Sequence, residues 1–353
     1  MSECQLSCTD HCVLRNGQGG KGQPQTEQQD EGSGMRALDA VCIGEAMGQL
    51  VPLGGQSVET ATDFQLRVAG AEANVAIGLA QLGHRVSWVS RVGDDALGRR
   101  LLLELHGAGV ATDDVAVDSG RRTGLFVKVP DRESSTVVYY REGSAASAID
   151  VSDIDRVFAL GSRIIHLSGV TPALSPSCLA ATENALSRPR PQRNLLSFDV
   201  NYRAALWPGR EKAAETLLRL AQQADVVFVG FDEAEELWGA ATPAACRELL
   251  SQVPHLVVKD GSRAAIEYAG SRSVTVPALS VPVLEPVGAG DAFASGWLHG
   301  WLGGHDAMRR LRLGHLMAGR ALTSLADHSA TPIDVTGLHL RAENGWASPP
   351  SAL

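Results

Sequence analysis

No apolar run in the 353-residue sequence reaches the ~18–20 residues that a membrane span requires, so no spanning helix is expected. A basic excess is also missing. Lys and Arg number 31 against 40 Asp and Glu, a formal net charge of −9, which argues against a dedicated nucleic-acid binder. An anionic small molecule stays admissible, because a few local arginines can capture one. The start of the chain lacks a basic stretch followed by an apolar one, so no secretory signal is read. Cysteine pairs at metal or disulfide spacing are absent. Cys4, Cys8 and Cys12, with His11 beside the last, follow no common zinc pattern, and Cys42, Cys178 and Cys246 are scattered in apolar segments. A reducing, cytoplasmic setting is therefore expected. No internal repeat is present. At 44% hydrophobic and 20% charged residues, the composition suits a packed globular protein of about two domains or one large α/β domain.

Residues 1–36 differ from the rest. They are rich in Gln, Gly, Ser and acidic residues and read as a disordered extension. Met35 directly precedes the first strand-like run, which leaves open an upstream extension or a misassigned start. Residues 37–342 read as the folded domain, and 343–353 as a flexible tail.

Within that domain, short apolar runs alternate with amphipathic stretches. Val41–Gly44, Val86–Val92, Arg163–Leu167, Leu195–Val200, Val226–Val229 and Leu256–Lys259 read as strands. Ala71–Leu82 and Ala96–His106 carry leucines at helical spacing and stop at Gly83 and Gly107. Further amphipathic segments lie near 177–187, 211–223 and 243–252. Alternating β and α predicts a mostly parallel sheet with helices on both faces. Two regions, about 48–68 and 121–147, break the rhythm with extended pieces. Gly124–Val129 and Ser135–Arg141 flank a turn-like Pro130-Asp131-Arg132-Glu133 and predict a hairpin, suited to a flap over a site or a contact between subunits.

Glu285-Pro286-Val287-Gly288-Ala289-Gly290-Asp291 precedes an apolar helical run. Small residues there let several N–H groups point one way at a helix start, where the dipole also favours an anion. Asp291 beside that anion could accept a proton from a substrate hydroxyl. Taken alone, the segment reads at least as well as a Gly-rich helix start capped by Asp. It is not a Walker A loop, since Gly-Lys-Ser/Thr is absent. Far upstream, Gly70-Ala71-Glu72-Ala73-Asn74 opens a helix of small residues, with Asn74 able both to donate to and accept from a sugar hydroxyl. His84, His106 and His166 have no second ligand at metal spacing, and Trp297 with Trp301 suits core or subunit packing.

The two Gly-rich helix starts together resemble the paired signatures of the ribokinase-like (PfkB) carbohydrate kinases, over about residues 38–340. Arg91-Val92-Gly93-Asp94-Asp95-Ala96-Leu97-Gly98 and Lys259-Asp260-Gly261 resemble further family segments. The resemblance implies a three-layer α/β/α fold with a small β-sheet lid, ATP and Mg²⁺, and a homo-oligomer. It implies Asp291 as base, Gly288, Ala289 and Gly290 as the anion hole, and Gly70, Ala71, Glu72 and Asn74 among the sugar contacts. Asn201, Arg203, Gly230, Lys259, Gly261, Gly288 and Gly290 would face the nucleotide, and Glu233 would reach the metal through water.

Within the family the sequence is most similar to 2-keto-3-deoxygluconate kinases. The residues carrying this are Tyr139-Tyr140-Arg141-Glu142-Gly143-Ser144, His166-Leu167-Ser168-Gly169-Val170-Thr171-Pro172 and Asp199-Val200-Asn201-Tyr202-Arg203. They imply sugar contacts from Tyr139, Arg141 and Arg203, and resemblance of Thr123-Gly124-Leu125-Phe126 and Ala326-Asp327-His328…Pro332 to further family segments implies contacts from Phe126 and Asp327. An acidic sugar needs a cation, and guanidinium groups suit bidentate carboxylate binding, so Arg141 and Arg203 read as carboxylate ligands or as surface ion-pair partners. The expected reaction is ATP-dependent phosphorylation of 2-keto-3-deoxygluconate. The alternatives are a kinase for fructose, ribose or a galactonate-derived keto acid, and a non-catalytic sugar-acid-binding protein. Three positions depart from the family pattern: Phe126 replaces a frequent Tyr, Gly230 replaces the Asn of an Asn-x-x-Glu motif, and Glu285 replaces an Asp, which leaves a monovalent-cation site open.

Overall fold

The computed structural model describes residues 38–129, 136–189, 194–324 and 332–346. Strand β1 (Leu38–Ile43) leads into β2 (Met47–Pro52), β3 (Phe64–Ala69) and helix α1 (Ala71–Gln81). β4 (Val86–Val89), β5 (Arg91–Gly93), α2 (Ala96–Gly107), β6 (Val110–Ala111) and β7 (Ala116–Asp118) follow, then β8 (Leu125–Val129) and β9 (Thr136–Tyr140). The chain continues through α3 (Val151–Ala159), β10 (Ser162–Ser168), α4 (Pro176–Ser187), β11 (Leu195–Asp199), α5 (Arg210–Ala221), β12 (Val226–Gly230), α6 (Phe231–Trp238) and α7 (Pro243–Leu249). β13 (His255–Asp260), β14 (Ala264–Ala269), β15 (Arg272–Pro277), α8 (Ala289–Leu302), α9 (Ala307–Leu322) and α10 (Val335–Asn344) complete it.

Nine strands form the large sheet in the order β15-β14-β13-β12-β11-β10-β1-β4-β6. Pairings from β13 through β6 are parallel, and β14 and β15 add an antiparallel edge. Side chains alternate across a strand, so a strand covered on both faces must be apolar throughout. Val41 and Ile43 join the cluster under α3, α4 and α5, while Ala40 and Cys42 join the opposite cluster under α1, α2 and α8. Val227 and Val229 against Val226 and Phe228 repeat the division. The result is the expected three-layer α/β/α fold. Among the described residues no helix is long and apolar enough to cross a membrane.

Both extended regions supply a second, four-stranded sheet, ordered β3-β2-β8-β9. The tip expected at 130–133 lies outside the described residues. The Val86–Val92 run is not one strand. It divides at Ser90, whose carbonyl accepts from Ala116 N at 2.9 Å, so that β4 stays in the large sheet and β5 pairs with β7. The Gly93–Gly98 segment serves this junction: Asp95 caps α2 through Gly98 N at 2.7 Å and holds Thr123 N at 2.8 Å.

Candidate active site

The parallel strands end on one cavity of about 1370 Å³, bordered on its other side by the second sheet. Gly70 precedes α1, and a side chain there would drive into the Glu45 carbonyl, so bare backbone faces the opening. One turn into the helix, Asn74 lines the same cavity, as does Ala71. Gly288 precedes α8 at φ 82°, a left-handed conformation that glycine adopts without strain, and it sets Ala289, Gly290 and Asp291 at the helix start beside the opening.

Asp291 is held from two sides. Asn74 Nδ2 donates to its Oδ2 at 2.9 Å, and Asn201 Nδ2 donates to Oδ1 at 3.2 Å. Asn201 adopts φ 39°, unusual for a side chain with a Cβ, in the turn after β11. Expected on the nucleotide side, it is thus also a partner of Asp291. Burial pushes the Asp291 carboxyl up to about 7, with the Asn74 hydrogen bond, Arg203 and Lys259 opposing and Asp199 adding to the shift. The group is thus a stronger base than an aspartate in water. Low water access disfavours the charged form.

Sequence reasoning passed over Asp199, at the end of β11. Its Oδ2 accepts from Lys259 Nζ at 2.8 Å, while Oδ1 is buried without a partner. Burial works against the Lys259 charge, yet Asp199 and Glu233 hold the ammonium above its usual range. Lys259 lies below the α8 start, where a Cβ on Gly290 would sit 3.3 Å from Nζ. Glu233 caps α6, accepting Gly230 N at 2.8 Å and Tyr202 N at 2.9 Å, and burial raises its carboxyl. Gly230 and Gly261 border the cavity beside it. Among the described residues no three His, Cys, Asp or Glu side chains could hold a metal by themselves. A Mg²⁺ carried by nucleotide phosphates suits this donor set, because that ion keeps several waters. The unpartnered Asp199 Oδ1, with Glu233 nearby, would receive those waters.

The other expected residues divide. Phe126 and Tyr139 line the cavity, ring centroids 5.7 Å apart. Arg203 also lines it, its side chain 46% exposed and bonded to the Tyr202 carbonyl at 2.9 Å. Arg141 lines it too, and of its two expected readings it shows an ion pair, though a buried one rather than a surface one. It forms an ion pair with the fully buried Glu45 carboxylate and lies over the Tyr139 ring. Glu72, expected beside the sugar, is not among the residues lining the cavity. Its Oε1 accepts from Ser168 N and Oγ and from Thr171 Oγ1, which ties α1 to the end of β10. Asp327 lies outside the described residues. The carboxylate of Glu285, the position that bears on a monovalent ion, is paired with Lys128 of β8.

Residues 37–333 match the pfkB family carbohydrate kinase description. The 2-dehydro-3-deoxygluconokinase of Bacillus subtilis is 34% identical over 312 residues, 86% of this chain and 93% of that protein. A PfkB protein from Polaromonas superposes with a TM-score of 0.76 at 37% identity, covering 82% of this chain and 97% of the other. A fructokinase from Xylella fastidiosa, solved with bound ATP, gives 0.76 at 26% identity over 86% and 99%. With an acid held by two asparagines at the first turn of α8, and with this match along most of its length, the chain belongs to the pfkB family of carbohydrate kinases.

Proposed function

We propose that this kinase transfers the terminal phosphoryl group of ATP to the 6-hydroxyl of 2-keto-3-deoxy-D-gluconate. The observation that carries the reading is that Arg141 and Arg203, on separate elements, open on the same cavity as Asp291. The name of the Bacillus subtilis relative supports it. Asp291 receives the proton of the acceptor hydroxyl as the bond to phosphorus forms. A group near pH 7 in basicity is well matched to that task at neutral pH. Asn74 and Asn201 fix its two oxygens, so its rotation costs nothing at the moment of reaction. The amides of Gly288–Gly290 face the oxygens of the phosphoryl in transit, and Lys259 below them adds fixed positive charge. Bound Mg²⁺ supplies charge neutralisation on the phosphates, with Asp199 and Glu233 holding its waters. The second sheet acts as a lid, and Phe126 and Tyr139 exclude water that would compete as acceptor.

A second reading, phosphorylation of a neutral sugar such as fructose, is favoured by one observation: Glu45 already balances the Arg141 charge. Measuring kcat/KM for the keto acid and for fructose in the native protein and in Arg141→Ala decides between them. A charge-assisted hydrogen bond contributes roughly 1.5–3 kcal/mol, so the keto acid should lose about 10- to 100-fold and fructose far less. Equal losses, or a native enzyme that prefers fructose, would overturn the sugar-acid reading and leave the kinase standing.

A further inference from the structure

The reaction described above makes no use of Lys128 or Glu285. Lys128 interrupts an apolar strand, Val127-Lys128-Val129, and lies two residues after Phe126, so both side chains leave β8 on the cavity side. Its side chain is only 4% exposed. Glu285 lies three residues before the Gly288 turn and is likewise buried. The Lys128 ammonium forms an ion pair with Glu285 Oε2, and Glu285 Oε1 accepts Val287 N at 3.1 Å. A continuous polar connection therefore runs from the second sheet, through one carboxylate, into the backbone of the loop that delivers the α8 amides. Taking two opposite charges out of water is a poor route to stability, since an apolar pair of similar volume would serve as well or better. What an ion pair adds over an apolar contact is direction and register.

We propose that Lys128 is a positioning residue. Through Glu285 it holds the Val287–Gly290 backbone in register with Asp291 when the second sheet is seated, and its ammonium is the built-in cation of that carboxylate. The loop then needs no monovalent metal ion. The proposal rests on the kinase reading above but not on the identity of the sugar. Its tests therefore use whichever acceptor the native protein turns over fastest, together with one readout that needs no acceptor.

In Lys128→Met, which keeps length and removes charge, kcat should fall roughly ten- to a hundred-fold, the scale of a small misplacement of catalytic groups. KM for the sugar should change less than threefold, roughly, because no sugar contact is lost. Lys128→Arg should recover most of the loss, as should the exchanged pair Lys128→Glu with Glu285→Lys. Native activity should be equal in potassium and in tetramethylammonium salts, and potassium should partly restore Lys128→Met. Hydrogen exchange at residues 283–291 should speed up in Lys128→Met and return in Lys128→Arg, with β12 and β13 unaffected. A Lys128→Met protein that keeps more than half of kcat, or a potassium requirement in the native protein, would overturn the proposal. So would unchanged exchange at 283–291. If Lys128→Met does not fold, Glu285→Gln carries the same expectations for kcat and exchange. A native protein without transfer to any sugar would instead remove the kinase reading, while the exchange result would still stand for or against the latch.

Discussion

The two ends of α8 make an instructive pair. At its first turn, burial raises Asp291 to about 7. Near its last turn, burial together with His84, His339 and His305 lowers His299 to about 3. The physical cause is the same, loss of water around a titratable group, and the sign differs because one group is charged when deprotonated and the other when protonated. The surroundings separate them. Asp291 opens on a cavity and receives hydrogen bonds that leave it free to take a proton from a ligand. His299 spends both ring nitrogens on neighbours, His84 Nε2 at 2.7 Å and His339 Nε2 at 2.9 Å, and closes a seam between the end of α1, α8 and α10. A displaced pKa thus marks burial first, and chemistry only where a ligand can arrive.

The largest effect should come from the cavity end. Asp291→Asn keeps shape and both asparagine neighbours but removes the base, so kcat should drop by about 10²–10⁴, the range for general-base catalysis. ATP binding, followed by calorimetry, should persist. A variant retaining more than about a tenth of native kcat would take Asp291 out of the role. Next in size is the pH profile. Because the Asp291 pKa is raised, the ionised base is lost as pH falls through about 7. Below that point kcat/KM should decline by up to tenfold per pH unit. A profile flat from pH 8 to 5 would contradict the assignment.

The smallest effect belongs to the histidine end and concerns stability. His299 is depressed in the folded state relative to its ordinary value near 6.5, so the unfolded chain binds the extra proton first. Stability should then be full above about 6.5 and fall as pH drops toward 3. Asp39, 3.8 Å from His84, favours protonation of the His84 ring and Arg163 opposes it, while Arg309 opposes protonation of His339. His299→Gln should flatten the decline in Tm between pH 7 and 5 by a few degrees while leaving kcat near native. An unaltered slope would show that the cluster does not titrate with folding.

Much of the architecture was legible because strands covered on both faces must be continuously apolar, as in Val226-Val227-Phe228-Val229. The division at Ser90 was not read, although Ser90-Arg91 interrupt the Val86–Val92 run, because a change of partner strand has no local signature of its own. The ligand-facing backbone was legible for a related reason. Gly70 and Gly288 open helices where close approach or a positive φ excludes most residues. Pairings between distant charges were not. Nothing local joins Glu45 to Arg141 or Asp199 to Lys259, and so the acid that pairs with Arg141 was not legible. Glu72, a carboxylate in the same helical turn as Asn74, gave no local sign that its face of α1 turns inward. One signal was available and unused: a lysine set between two valines in a strand, as at Lys128, needs either solvent or an acid.

The contact between Gly70 and the Glu45 carbonyl has a mechanical side. The chain leaves the large sheet for β2 through Gly44, Glu45 and Ala46, and it returns from β3 into α1 through Gly70, directly against that same stretch. Any larger side chain at position 70 would have to push these two crossings apart, since a Cβ there already collides with the Glu45 carbonyl and with Ala46. The Gly70 carbonyl accepts Asn74 N at 2.8 Å, so the spacing of the two crossings also sets where Asn74 stands when it donates to Asp291.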